Sequence, residues 1–281
     1  MDKKMIALLV NPLALQKVKK ILAEISQVLT VNAIQYELYH DPWPIEINGF
    51  KELWIIGGDG TLNYCLNKYR DISIPIAIFK GGTGNDFANT LYGDLTPLKQ
   101  AEYLLSASTH QVDAGMCNTE LFINGAGIGF DGEVVRSIKS IRWIGGHFGY
   151  MLAVLKQVLF YKEKRFKIEY DQQVIDDKFL LCVICNSSSM GGGFKVAPGS
   201  RIDDGVLDVV LCRKLGLLKR LRYLPVIEKG RHLNLEFIRH FKAVKLRISC
   251  NQEVFIQLDG ELRSGKSFDI TVMHKRYIFK F

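Results

Sequence analysis

The stretch Leu53-Trp-Ile-Ile-Gly-Gly-Asp-Gly-Thr-Leu-Asn63 brings together residue types that phosphate chemistry uses. A short apolar run stops at three glycines around one aspartate, and a threonine then opens a helical pattern. Glycine lets the backbone approach a ligand closely and adopt positive φ. A strand–loop–helix joint of this kind offers backbone N–H groups to a phosphate. A carboxylate beside phosphates requires a metal ion or a basic neighbour, so the motif points to nucleotide chemistry with Mg²⁺. A second joint, Gly81-Gly-Thr-Gly-Asn-Asp-Phe87, follows another apolar run. Two such joints in one small parallel sheet aim at one crevice.

Further glycine-rich segments occupy the second half: Asn124-Gly-Ala-Gly-Ile-Gly-Phe-Asp131, Met190-Gly-Gly-Gly-Phe-Lys-Val-Ala-Pro198, Ile202-Asp-Asp-Gly-Val-Leu-Asp208 and Leu258-Asp-Gly-Glu261. Isolated Asp-Gly pairs are usually turns. Acids in glycine loops at 59, 86, 131, 204, 259 and 261 together suggest metal and proton-transfer work. Gly260-Glu-Leu-Arg-Ser-Gly-Lys-Ser267 matches the P-loop pattern letter for letter. That pattern needs a helix after it, whereas Phe268-Asp-Ile-Thr-Val-Met273 alternates like a strand, so the segment reads as a hairpin turn. The six histidines show no metal-ligand spacing and no Gly-x-Ser-x-Gly elbow is present, which leaves zinc and serine-hydrolase chemistry without support. Cys182 and Cys185 form a C-x-x-C inside an apolar run and read as packing residues.

These residues must be positioned by elements, and the apolar periodicity supplies them. Strands are expected at Met5–Val10, Leu53–Ile56 and Ile74–Phe79, with helices over 13–30, from Thr61 to about Tyr69, and after the loop Gly81–Phe87 to about Leu91. Such alternation predicts a Rossmann-like parallel α/β nucleotide-binding domain with ligands at the carboxyl ends of its strands. Short β-like runs then dominate: 120–124, 166–170, 179–186, 207–211, 243–250, 254–258 and 268–273, with helices at about 133–161 and 217–229. They predict a mostly antiparallel, sandwich- or barrel-like second domain. The expected division is 1–117 and 118–281.

The 281 residues, 48% of them apolar and 23% charged, suit an ordinary globular composition, and a net charge of +8 hints at an anionic partner. The amino-terminal apolar run is too short for a signal peptide core, and no stretch is long enough to span a bilayer. The expected location is cytoplasmic. Two basic clusters stand out: Lys139, Arg142, Lys156, Lys162, Lys164 and Arg165, among Trp143, Phe148, Tyr150, Phe160 and Tyr161; then Arg213, Lys214, Lys219, Arg220 and Arg222. The first, with its aromatics, reads either as a membrane-interface surface or as a solvated helix face.

The ordered set Gly-Gly-Asp-Gly-Thr, Gly-Thr-Gly-Asn-Asp-Phe-Ala, Gly-Gly-Gly-x-x-x-Ala-Pro, Asp-Asp-Gly-x-Leu-Asp and Leu-Asp-Gly-Glu resembles the catalytic-domain superfamily of diacylglycerol and sphingosine kinases, particularly the soluble bacterial lipid kinases. The similarity runs from Asn11-Pro12 to Glu261. It implies an α/β domain followed by a β-sandwich-like domain, with ATP and a lipid hydroxyl meeting between them. Asn11, Gly58, Asp59, Gly60, Thr61, Leu62, Asn63 and Thr83 would line the ATP site. Asp59 would act through Mg²⁺ and water, with Asp86 and Asp113 in the same polar network. Asp259 would be the general base for the lipid hydroxyl, with Glu261 beside it. Asp204, with the carbonyls of Arg201 and Val206, would hold a structural magnesium. The implied partner is a lipid at a membrane surface, touched peripherally and reversibly; nucleic acid is not expected, and a homodimer is left open. Three departures stand out: Leu13-Ala-Leu-Gln-Lys17 replaces a Ser/Gly-rich phosphate turn, Tyr64 replaces a common glutamate, and His40–Gly49 lacks a nucleotide-contacting threonine. The alternatives are a nucleotide- or lipid-binding regulatory protein and an NAD kinase, which shares the first motif.

Overall fold

The computed structural model describes residues 5–12, 15–140 and 146–281. By their internal contacts the residues fall into two compact units, 1–112 with 275–281, and 113–274. The first unit is therefore discontinuous: the carboxyl-terminal seven residues, expected in the second domain, cluster with the first.

The first unit alternates β1 (Ile6–Val10), α1 (Leu15–Val31), β2 (Tyr36–Tyr39), β3 (Glu52–Gly57), α2 (Asp59–Lys68), β4 (Ile76–Lys80), α3 (Asp86–Tyr92) and α4 (Pro97–Ser106). The strands are parallel in the order β2-β1-β3-β4, in register at Leu8↔Leu38, Leu9↔Ile55 and Ile55↔Ile78. All residues of β1 and β3 are buried, as continuous apolar strands covered on both faces must be. Phe279 of the returning segment pairs in parallel with Ile76. Lys280 secures that segment through a 2.7 Å ion pair to buried Glu52, whose other oxygen accepts from Trp54 Nε1 at 2.9 Å. The carboxyl ends of β1, β3 and β4 thus present Asn11, Gly58-Asp59 and Gly81–Asp86.

The chain continues through β5 (Thr109–Cys117), β6 (Glu120–Phe122), β7 (Gly125–Gly129), α5 (Phe130–Ser140), α6 (Gly146–Phe160), β8 (Lys164–Tyr170), β9 (Gln173–Cys185), β10 (Leu207–Arg213), α7 (Leu217–Glu228), β11 (Ile238–Ala243), β12 (Lys245–Leu258) and β13 (Glu261–Lys280). In the second unit the pairings are antiparallel. Both β7 and β8 pair with β9 and with β12, which closes a ring of hydrogen-bonded strands. The two long strands reach both partners, and β12 shifts register between Ser249 and Val254. Alternate residues point inward: Phe166 and Ile168; Phe179, Cys182 and Ile184; Leu207, Val209 and Leu211; Leu246, Ile248, Val254, Ile256 and Leu258.

Several expectations change. The segment 124–131, read as a glycine loop, is mostly the buried strand β7, because alternate glycines free one face while Ala126 and Ile128 fill the core on the other. The single helix expected over 133–161 is two helices, α5 and α6. The P-loop look-alike lies in β13, paired with β12 on both sides of the register shift and turning only at Asp259-Gly260. Cys182 and Cys185 are buried thiols on β9, and desolvation pushes both pKa values up, as packing residues require. Among the described residues no helix is long and apolar enough to cross a membrane.

Arg220 of α7 binds the end of α6. Its guanidinium donates to the carbonyls of Val158 (3.1 Å) and Tyr161 (2.8 Å), to Leu215 O (3.0 Å) and to Glu163 Oε1 (2.7 Å). Both ionic partners are about nine-tenths buried. Arg220→Met leaves a buried carboxylate and helix-end carbonyls without their donor, and is expected to cost about 3–5 kcal/mol in urea denaturation. Arg220→Lys, with one ammonium in place of a planar fork, recovers only part of it.

Asp131, in the first turn of α5, lays its carboxyl over Gly127, where a Cβ would overlap it. Desolvation raises its pKa to about 7, partly offset by a hydrogen bond from Gln257. Between about pH 4 and 7 the folded chain holds a proton that the unfolded chain has released, so stability is expected to fall as pH rises through that window. Asp131→Asn should flatten this slope in urea titrations from pH 4 to 8 and raise stability at the alkaline end.

Candidate active site

In the first unit the two glycine joints interlock backbone to backbone. Gly81 N donates to Gly57 O at 2.9 Å, and Asp59 N donates to Gly84 O at 3.1 Å. A Cβ on Gly82 would stand 2.4 Å from Gly58 Cα, so this approach requires glycine at both positions. Asp59, 8% exposed, accepts from Asp86 N (2.9 Å) and Phe87 N (3.0 Å), capping α3 from the neighbouring loop. Asn11 Nδ2 donates to Thr61 Oγ1 at 3.0 Å, tying the end of β1 to the start of α2. Thr61, Leu62 and Asn63 are buried on α2, whereas Gly60 and Thr83 face solvent. The structure therefore brings Asn11, Gly58, Asp59, Thr61, Gly82 and Asp86 together at the strand ends.

Two departures from the family pattern meet here. Trp43 packs edge-on against Tyr64, ring centroids 5.4 Å apart, and its Nε1 donates to Val10 O at 3.1 Å. The segment around Trp43 thereby reaches the end of β1, a contact that no sequence periodicity signalled. Residues 13 and 14 and the side chain of Lys17, expected near the phosphates, lie outside the described residues.

In the second unit Asp259 and Gly260 form the two-residue turn between β12 and β13, with φ of 49° and 89°. Both residues are in the left-handed region, which the Asp-Gly sequence favours. The Asp259 carboxylate accepts from Ile123 N (2.7 Å), Asn124 N (2.9 Å) and Gly125 N (3.0 Å). Gly260 N donates to Gln257 Oε1 at 2.8 Å, and Gln257 also bonds Asp131. Glu261, the first residue of β13, has its side chain 45% exposed, with Arg263 Nη1 3.9 Å away.

Asp113 is fully buried in the second unit, where it accepts from Gly205 N at 2.7 Å and lies 2.8 Å from His274 Nδ1. No local pattern in the sequence signals His274. Asp204 accepts from Lys242 Nζ at 2.7 Å and from Val206 N at 3.3 Å, while Arg201 pairs with Asp203. A magnesium held by Asp204 and the carbonyls of Arg201 and Val206 would share Asp204 with the Lys242 ammonium or displace it. Asp59 and Asp86 stand at the joints that follow β3 and β4, and magnesium commonly takes one or two carboxylates and completes its shell with phosphate and water. Among the described residues no three His, Cys, Asp or Glu side chains converge as a self-contained metal cage.

Comparison with known proteins agrees with this geometry. The diacylglycerol kinase catalytic domain profile matches residues 5–117, and the YegS C-terminal NAD kinase beta sandwich-like domain profile matches 125–274. A diacylglycerol kinase of Bacillus subtilis (strain 168) is 29% identical over 211 residues, 73% of this chain and 69% of that protein. One from Staphylococcus carnosus (strain TM300) is 28% identical over 75% of this chain and 70% of its own length. A crystal structure from Bacillus anthracis str. Sterne, proposed to be a diacylglycerol kinase, superposes with a TM-score of 0.79 at 26% identity, covering 100% of this chain and 99% of that one. An Archaeoglobus fulgidus NAD kinase shares the fold alone, with a TM-score of 0.57 at 13% identity over 98% of this chain and 92% of that one. The interlocked glycine joints and the aspartate-tipped hairpin are thus those of a chain that belongs to the diacylglycerol kinase catalytic-domain family, with the YegS-type carboxyl-terminal domain.

Proposed function

We propose that the protein transfers the γ-phosphate of ATP to the hydroxyl of a lipid, diacylglycerol or a close relative, with magnesium. The observation that carries this reading is Asp259, a carboxylate fixed at a hairpin tip by three amides in the unit that matches the YegS-type domain. Asn11, Gly58 to Asn63 and Thr83 would bind the nucleotide. Glycine N–H groups accept phosphate charge without reorganising. Asp59 and Asp86 would hold the magnesium, which supplies neutralisation of phosphate charge when bound.

Phosphoryl transfer through a loose transition state needs little proton removal before the bond to the leaving group weakens. That suits Asp259, whose three amide bonds make it a rigid acceptor for orienting a hydroxyl. Asp259 would be the general base in this reading, with Glu261, more exposed at the start of β13, beside it to share the proton. Peripheral contact with the lipid surface and a cytoplasmic location belong to the same reading. NAD kinase is disfavoured because the motifs of the second half follow the lipid kinases, as does the YegS-type profile over 125–274.

Labelled phosphate transfer from ATP to a lipid panel in mixed micelles, beside NAD, tests the reading. Labelled lipid supports it; labelled NAD, or nucleotide binding with no transfer, overturns it in favour of the fold cousin or a regulatory protein. The two carboxylates separate within that assay. Glu261→Gln is expected to lower turnover by about 10²–10⁴ with stability unchanged. Asp259→Asn should lower turnover as well, but also cost about 1–3 kcal/mol in denaturation, since its new NH₂ meets backbone N–H groups.

A further inference from the structure

α7 carries apolar side chains on a face that no described residue of the second unit covers. Leu217, Leu218 and Leu221 are 47%, 83% and 40% exposed, and Pro225 is exposed beside them. At 3.6 residues per turn these four lie within roughly a 100° arc; Leu224, which packs inward, adjoins its edge beside Leu217, and Ile227, also inward, lies well round the helix from its centre. Lys219 and Arg222 border the exposed arc. Through Arg220 the helix is tied to the end of α6, where Leu159 and Phe160 are exposed, Phe160 by 74%. Lys156, Lys162 and Lys214 stand exposed around this corner, and the nearby Glu163 is neutralised by Arg220.

We propose that this corner, the amino-terminal half of α7 with the end of α6, docks on an anionic lipid bilayer, leucines and Phe160 in the interface and the basic rim against the headgroups. It rests on the lipid-kinase reading only in giving that docking a purpose. Leucine and phenylalanine flanked by lysine and arginine are the composition of interfacial helices, and each cation near an anionic surface adds attraction. The same charge opposes a second copy of the chain as the occupant: two such faces would bring at least five like charges together from each side, which costs energy at an interface. Of the other basic and aromatic residues expected near this surface, the side chains at 139–148 and 150 lie outside the described residues.

Sedimentation of the full chain with vesicles tests this without any activity measurement. Binding is expected to vesicles containing phosphatidylglycerol, to be weak on pure phosphatidylcholine, and to drop in about 0.5 M salt. Leu218→Glu with Leu221→Glu should lower the partition at least tenfold, and Lys219→Glu with Arg222→Glu similarly. Val31→Glu, an exposed apolar site in the first unit, should bind as the unmutated chain does. All α7 positions changed are exposed, and thermal unfolding checks that they remain folded. Vesicle binding indifferent to the α7 substitutions, or no binding at all, overturns the proposal. So does a dimer in analytical ultracentrifugation that Leu218→Glu dissociates while vesicles leave the chain in solution. If vesicles bind as expected but no lipid is phosphorylated, the docking surface stands and the kinase reading alone fails.

Discussion

In each unit the candidate residues depend on one interaction: an aspartate carboxylate that accepts backbone N–H groups from a different segment. Asp59 takes the first amides of α3, and Asp259 takes three consecutive amides from Ile123 to Gly125. A buried carboxylate is costly unless hydrogen-bonded, and amides at a chain turn are costly unless accepted, so each satisfies the other. The result is a loop whose position is set by a charge-assisted bond rather than by side-chain packing. The glycines around each aspartate follow from this, because amides reach a carboxylate only where no Cβ intervenes. The residue proposed for chemistry and the residue needed for loop geometry are here the same, so activity loss alone cannot tell the two roles apart.

This arrangement suits phosphoryl transfer better than chemistry that needs a strong base. The transferring group carries its own charge and leaves with little covalent help, so rigid donors and fixed anions do most of what protein can do. A mobile, high-pKa base would add proton affinity and lose position. The second unit separates these needs in space: Asp259 is locked at the turn, Glu261 is more exposed at the next strand position, and Asp131 with Gln257 braces Gly260 from the neighbouring face.

Much of this was legible in the sequence because glycine and Asp-Gly patterns report backbone geometry directly. Parallel strands with continuous apolar runs, the two glycine joints and the rejection of the P-loop look-alike all come from local pattern, and the strands stand as β1, β3, β4 and β13. β7 was hidden because three alternating glycines look like a loop, although a strand can leave one face bare when a helix covers it. The return of Lys275–Phe281 to the first unit was hidden because sheet membership is decided by partners far away in sequence. Within the site, the aspartates were legible and their partners were not. His274 at Asp113, Lys242 at Asp204 and Trp43 at Tyr64 are pairings between distant residues of ordinary composition.

Lys242 shows how a pairing of that kind alters an inference drawn from a motif. The Asp203-Asp204-Gly205 loop supplies oxygen donors, and from composition alone a divalent cation is a natural counter-charge. β11 runs beside β10 in register, with Lys242 opposite Asp208, so its ammonium reaches Asp204 at 2.7 Å and stands 3.9 Å from Asp208. His240, two residues earlier on the same face of the strand, takes the other Asp208 oxygen at 2.6 Å. Two basic side chains at the period-2 spacing of one strand thus serve two carboxylates of the loop and strand beside it. The acidic loop is held by charge that the fold itself brings.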